Sequence, residues 1–177
     1  MRLFIAVDVS EEVRHYLRNL QQDVAKLPAK QSLAKDFHLT LKFLGEVTPQ
    51  QAEEVKVRLQ KVSCKPFTAT LDGIGVFPSE DSVRVVWVGL SPKETIMALQ
   101  KQIDEALQGL FTKEKQFVPH ITLSRVKAIT DKAVFAKQLE ALEVKPLSFP
   151  VTQFALIQAT LRGKEGPLYE KLGVYSG

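Results

Sequence analysis

Two short segments of the chain place an imidazole and a hydroxyl two residues apart: His38-Leu39-Thr40-Leu41 and His120-Ile121-Thr122-Leu123. On an extended strand, residues i and i+2 face the same side. His38 therefore emerges with Thr40 and His120 with Thr122, while Leu39, Leu41, Ile121 and Leu123 turn the other way, into a core. A histidine with an unperturbed pKa of about 6.5 can give or take a proton near neutral pH. Two of them on opposite sides of one phosphorus suit in-line displacement at a phosphodiester. One takes the proton of the attacking water, and the other gives a proton to the departing oxygen. The threonine hydroxyls can donate to the equatorial oxygens, whose negative charge grows in the transition state. This chemistry calls for no metal and no cofactor, and no acidic cluster is spaced to hold a metal ion.

A lone histidine on a strand is most often structural, so the weight rests on the doubling. The two motifs are separated by 82 residues, and the same offset lays Arg2–Val9 on Arg84–Ser91 and Phe67 on Phe149. The chain reads as one domain spanning 1–177 with an internal repeat, approximately 2–83 and 84–165. Each half delivers one His and one Thr. Two lobes related by a pseudo-two-fold and facing a central cleft would bring the four side chains together.

The elements that must carry them follow from pattern. Leu3–Val9 is a strand with an almost unbroken apolar run, so it is buried on both faces. Ser10 caps a helix whose Val13, Leu17, Leu20, Val24 and Leu27 recur at helical spacing until Pro28. Lys30–Lys35 reads as a polar connection. Phe37–Leu44 is a strand ended by Gly45, and Thr48-Pro49 opens a helix to about Val62. Phe67–Phe77 and Val83–Leu90 are strands, the first bent or bulged at Gly73 and Gly75. A helix from Ser91-Pro92 to about Gln108, a strand over Phe117–Val126 and a helix over Thr130–Leu142 follow. Ser148–Leu161 is a long strand or a broken pair, and Leu168–Tyr175 closes the chain. The fold class is α+β, with antiparallel-rich sheets backed by helices. Gly73 and Gly75 have no third glycine and no helix after them, which excludes a dinucleotide fingerprint.

Composition narrows the partners. The formal charge is +4, without a block of like charges, which fits a short or terminal anionic ligand better than long duplex binding. One cysteine, Cys64, excludes an internal disulfide. No apolar run reaches the length of a membrane span, and a cytoplasmic location is expected, with no membrane and no obligate protein partner.

Phe37-His38-Leu39-Thr40-Leu41-Lys42-Phe43-Leu44-Gly45 and Phe117-Val118-Pro119-His120-Ile121-Thr122-Leu123-Ser124-Arg125 resemble the two signature motifs of the 2H phosphoesterase superfamily. Arg2–Val7, Val76-Phe77-Pro78, Arg84–Trp87 and Gly166-Pro167-Leu168-Tyr169 are similar to its RNA 2′,3′-cyclic phosphodiesterase branch, also called 2′-5′ RNA ligase. The resemblance implies hydrolysis of a terminal 2′,3′-cyclic phosphate on RNA to a 2′-phosphate; a small cyclic-phosphate nucleotide is an alternative substrate. In that scheme His38 is the proton donor and His120 the proton acceptor, with Thr40 and Thr122 on the phosphate. It further implies that Arg125 assists in holding phosphate and that Phe43 offers a ring for a base to stack on. Strand parity opposes both of these: each stands an odd number of residues from its histidine, and a bulge or a strand end is needed to turn it to the same face. Core packing competes for Phe43. Trp87, Phe67 and Phe77 read as core, Arg84 as a sheet-edge residue and His15 as exposed. Two other functions share these residues: a nucleotide- or RNA-end-binding module without turnover, and the reverse reaction, 2′-5′ ligation.

Overall fold

In the computed structural model, which describes all 177 residues, the apolar run after Arg2 forms strand β1 (Arg2–Asp8), whose five central residues are buried. Ser10 accepts a hydrogen bond from the Val13 amide and starts helix α1 (Glu11–Ala25), with Glu11 and Glu12 in its first turn. Its apolar stripe of Val13, Leu17, Leu20 and Val24 is buried. Each such side chain contributes about 1.5–3 kcal/mol on leaving water. Strands β2 (Ala29–Leu33) and β3 (His38–Glu46) follow. The segment expected to be a polar connection is thus partly an edge strand. Its Ala29, Gln31 and Leu33 alternate inward, but with glutamine at the centre the apolar period is too weak to read.

Helix α2 (Pro49–Leu59) opens with Pro49 and a reciprocal cap between Thr48 and Gln51. Strands β4 (Phe67–Ser79) and β5 (Ser82–Ser91), helix α3 (Lys93–Ala106) and strand β6 (His120–Ile129) come next. Asp131 caps helix α4 (Lys132–Ala141) by accepting from the Val134 amide. The following segment is broken at Thr152 into β7 (Ser148–Val151) and β8 (Gln153–Thr160), and β9 (Leu168–Ser176) ends the fold. The bend expected at Gly73 is a register slip between Leu71 and Ile74, with Gly73 at a positive φ that a side chain would resist.

Two all-antiparallel sheets result, ordered β3–β1–β8–β9 and β2–β6–β5–β4–β7. Neither is drawn from one half of the chain. β4 pairs with β5 across the midpoint, and β8 returns to pair with β1. α1 lies against β2 and β6, and α3 against β3 and β5. One contiguous cluster of 37 buried residues runs through both sheets and the helices, so the halves share a single core. A second, smaller cluster of Phe4, Ala6, Ala155 and Ile157 covers the other face of the first sheet, with Tyr169 against it. That face is the floor on which His38 stands. No helix is long and apolar enough to cross a membrane.

The repeat needs one correction. The ladder partner of His38 is Asp8, and that of His120 is Gly89. β1 therefore maps onto β5 with an offset of 81 (89 minus 8), one less than the 82 that relates the histidines. Aligning by motif alone slides these strands by one residue, which exchanges their faces.

Candidate active site

Both site strands carry the same irregularity at the same place. On β3, Lys42 pairs with Ile5 and Thr40 with Ala6, which leaves Leu41 as an extra residue; on β6, Ser124 pairs with Val86 and Thr122 with Trp87, which leaves Leu123. These are β-bulges, and each reverses the alternation beyond it. Leu41 and Lys42 are consecutively buried, as are Leu123 and Ser124, and the next residue of each strand, Phe43 or Arg125, is exposed. Phe43 and Arg125 thus return to the face of His38, Thr40, His120 and Thr122, against simple strand parity. Phe43 is 66% exposed, which removes it from core packing.

Each bulge is secured by polar groups. The Leu123 carbonyl accepts from the Gln21 side chain at 2.8 Å and the Ala34 amide at 2.9 Å, while the Ser124 hydroxyl donates to Gln31 Oε1 at 2.6 Å. On β3 the inward residue is Lys42, whose Nζ donates to Asp104 Oδ1 at 2.6 Å and to the Thr112 carbonyl at 2.7 Å. Asp104 also accepts from Gln100 Nε2 and the Glu114 amide. Burial alone would raise the Asp104 carboxyl, but the bonds from Lys42, Gln100 and Glu114 outweigh it and hold the carboxyl below its usual range.

His38 is packed among rings. Its side chain is 10% exposed, and its ring centroid lies 5.0 Å from that of Tyr169 and 5.6 Å from that of Phe4, both edge-to-face. The Phe43 ring is 6.0 Å from that of Phe4. Asp36 Oδ2 is 3.4 Å from His38 Nε2, while Asp36 Oδ1 is engaged by Arg14 and the Phe37 amide. Burial is the main cause that lowers the His38 pKa to about 4; Asp8 opposes it, and Arg14 and Lys171 reinforce it.

His120 has a different setting. Its Nδ1 is 2.7 Å from the Val118 carbonyl. A carbonyl only accepts, so Nδ1 carries the hydrogen and the neutral ring presents Nε2 as a bare acceptor. Phe77 packs edge-to-face at 4.9 Å and Trp87 lies at 5.8 Å. Phe77 and Trp87, expected in the core, instead wall the histidine. On β5 the core-facing positions are Val86, Val88 and Leu90, which leaves Trp87 on the face of its partner Thr122. Gly75 opposite makes room for the indole, since a Cβ there would sit 2.2 Å from the ring. Burial lowers the His120 pKa, the bond to Val118 raises it, and Arg125 lowers it further.

Arg125 connects the two environments. Its charge acts on His120 and also on Tyr169, whose ring rests on His38, and β3 and β6 approach one another across the sheets. Thr40 and Thr122 are half-buried beside their histidines. Arg84 is at the surface, donating to the Lys127 carbonyl at 3.1 Å, and His15 is exposed. No three of the His, Cys, Asp and Glu side chains are grouped so as to hold a metal ion. Sequence reading missed Phe4, Asp8 and Tyr169 as neighbours of His38. For Asp8, the one available signal was a charge interrupting an otherwise apolar strand.

Known proteins resemble this chain from end to end. The family model described as LigT-like phosphoesterase matches twice in tandem, over residues 7–87 and 88–169. A protein of Methanocaldococcus jannaschii named RNA 2′,3′-cyclic phosphodiesterase is 34% identical, over 96% of this chain and 97% of its own. One of the same name from Thermotoga maritima is 36% identical, over 97% and 93%. Among solved structures, TT0787 of Thermus thermophilus has a TM-score of 0.77 at 32% identity, covering 99% of this chain and 97% of that one. E. coli LigT in complex with 3′-AMP has a TM-score of 0.74 at 28% identity, with coverage of 99% and 97%. With one family match on each half and relatives aligned from end to end, the chain belongs to the LigT-like phosphoesterases.

Proposed function

We propose that this protein hydrolyses the 2′,3′-cyclic phosphate at the 3′ end of RNA, or of a short nucleotide, to a 2′-phosphate without a metal ion. The reaction would take place between two pseudo-two-fold-related halves, residues 2–83 and 84–165. The observation that carries the reading is the 2.7 Å contact of His120 Nδ1 with the Val118 carbonyl, which commits Nδ1 as the donor and leaves Nε2 to accept a proton. Burial and the Arg125 charge keep that ring neutral, as a base must be.

In this reading His120 Nε2 takes a proton from water as the water attacks phosphorus, and His38 delivers a proton to the departing 3′ oxygen. The hydroxyls of Thr40 and Thr122 and the guanidinium of Arg125 hold the equatorial oxygens, where negative charge accumulates. Phe43, beside Phe4 and largely exposed, offers a face on which the terminal base stacks. In the free protein His38 is held neutral by burial. It serves as an acid once an anionic substrate occupies the site, because a nearby negative charge favours the imidazolium. Support for the substrate class comes from relatives named RNA 2′,3′-cyclic phosphodiesterase and from the E. coli LigT structures with 3′-AMP and with phosphate.

The test is incubation with an oligonucleotide ending in a 2′,3′-cyclic phosphate, in excess EDTA, followed by phosphorus NMR. Conversion to a 2′-phosphomonoester is expected. Recovery of the unchanged cyclic species under saturating protein would refute hydrolysis and leave a binding module.

A further inference from the structure

Each half presents one histidine and one threonine, yet in the proposed reaction one histidine must give a proton where the other takes one. The strand register shows where that symmetry breaks. His38 stands opposite Asp8, and His120 opposite Gly89. The glycine is not an accident of drift: a Cβ there would lie 2.7 Å from the Asp72 carbonyl oxygen, so the position opposite His120 has no room for a side chain. One imidazole has a carboxylate across the ladder. The other has none and feels the Arg125 cation instead.

The Asp8 carboxylate already favours the His38 imidazolium, but its charge is shared. It is held by Lys171 of β9, with Nζ to Oδ2 at 2.5 Å, in a pair whose side chains are both close to half exposed. The other charged groups around His38 are Arg14 of α1 and Asp36 of the loop before β3, and these two are engaged with each other. Tyr169 also packs on the ring, with its hydroxyl shifted toward the neutral form by burial. His38 is thus surrounded by two carboxylates and two cations, each carboxylate claimed by a cation. Burial then decides in favour of the neutral ring.

Resting on the reading of His38 as the acid, we propose that Asp8 is the positioning residue that supplies its counter-charge, and that Lys171 withholds Asp8 until a substrate phosphate draws the ammonium away. Asp8 and Lys171 also line a cavity of about 280 Å³ with Ala6, Ser10 and Gln153, so the pair is not locked by packing on that side. An opposite charge within about 4–6 Å moves a pKa by roughly one to three, which would carry His38 from about 4 back toward its ordinary range. The proton comes from solvent, passes to the 3′ oxygen in the reaction, and is replaced from solvent after product leaves. Coupling the proton to phosphate binding keeps a buried cation out of the empty site, where it would be costly.

The experiment follows the His38 and His120 ring signals by NMR titration of the full chain, with and without saturating inorganic phosphate, in the native protein, Asp8→Asn and Lys171→Met. Lys171→Met is expected to increase the His38 imidazolium population at pH 6 without phosphate, and Asp8→Asn to decrease it. Phosphate is expected to raise the His38 midpoint in the native protein and to do so much less in Asp8→Asn, with the His120 midpoint unmoved by either substitution. Turnover of the cyclic phosphate by Asp8→Asn should lose its basic limb at a pH about one lower. The proposal is overturned if phosphate raises His38 equally in Asp8→Asn and native protein, or if both substitutions leave the His38 titration unchanged. Both residues are half exposed, and Lys171→Met tests the coupling by itself should Asp8→Asn misfold. If His38→Ala turns over at the native rate, the acid assignment fails instead, whatever the titrations show.

Discussion

Replacing Lys42 with methionine isolates what the β3 bulge costs and what it secures. The bulge turns Lys42 inward, where its side chain is 2% exposed against Asp104 at 6%, bridging β3 to α3. Methionine keeps the apolar stem but removes the ammonium. Asp104 then has only Gln100 and the Glu114 amide for a buried charge. Breaking a buried pair from one side costs about 3–5 kcal/mol, a large part of the 5–15 kcal/mol typical of a whole domain. Replacing both residues, as Lys42→Met with Asp104→Leu, removes the uncompensated charge and leaves the Gln100 and Glu114 donors and the Thr112 carbonyl without these partners, at about 1–3 kcal/mol for a buried group. The double variant is therefore expected to be more stable than the single one. Urea denaturation at pH 7, read as a midpoint shift at constant slope, measures all three differences. The single variant should also recover stability below about pH 5, because protonating Asp104 relieves its burial. In the native protein the sign is reversed: the Asp104 carboxyl is held low, so its contribution is full above its unfolded pKa and is lost as pH falls below it. A Lys42→Met cost under about 1 kcal/mol, or a double variant as unstable as the two singles combined, would refute the reasoning.

Three more outcomes follow from the same geometry. The His38 pKa lies at about 4 in the folded chain against 6.5 unfolded, so the protein should lose about 3 kcal/mol of stability as pH falls through that window; His38→Gln should flatten that part of the profile. Phe43→Ala, at an exposed ring, is expected to leave the urea midpoint nearly unchanged while raising KM for a cyclic-phosphate dinucleotide about tenfold, in line with the ~1–3 kcal/mol of a stacked base; equal falls in kcat and stability would contradict a stacking role. Arg125→Met should lower kcat/KM about 100-fold, and Arg125→Lys should restore part of it, since an ammonium keeps the charge without the two-pronged geometry. No loss in the methionine variant would remove Arg125 from the site.

The antiparallel α+β architecture and the strands bearing His38 and His120 were legible because periodicity and caps agree locally: Ser10 and Thr48-Pro49 each mark a boundary that the structure keeps, whereas Gly45, expected to end its strand, lies inside β3 and pairs with Leu3. The doubled motif was legible as well. What could not be read was register. A bulge is a single extra residue with no composition of its own, and Leu41 and Leu123 look like ordinary strand leucines. Yet they decide where Phe43 and Arg125 point. The trace they leave is a polar residue at an inward position, Lys42 and Ser124, and it becomes interpretable only once Asp104 and Gln31 are seen to satisfy them. Trp87 was misread for a related reason: a large apolar ring in an apolar strand signals burial, but not on which face. Tyr169 reaches His38 from the last strand, through a pairing of β9 with β8 and of β8 with β1 that local pattern does not encode.

The acid and base assignments are separated most directly by changing the leaving group. A nucleoside 2′-(p-nitrophenyl phosphate) releases an aryl oxide that departs without a proton, whereas the cyclic phosphate releases an alkoxide that needs one. With His38→Ala, turnover of the cyclic phosphate should fall by the 10²–10⁴-fold typical of general acid–base catalysis, while the aryl ester is cleaved at close to the native rate. With His120→Ala, both substrates should slow together. Equal losses on both substrates in His38→Ala, or an aryl ester spared by His120→Ala, would contradict the assignment.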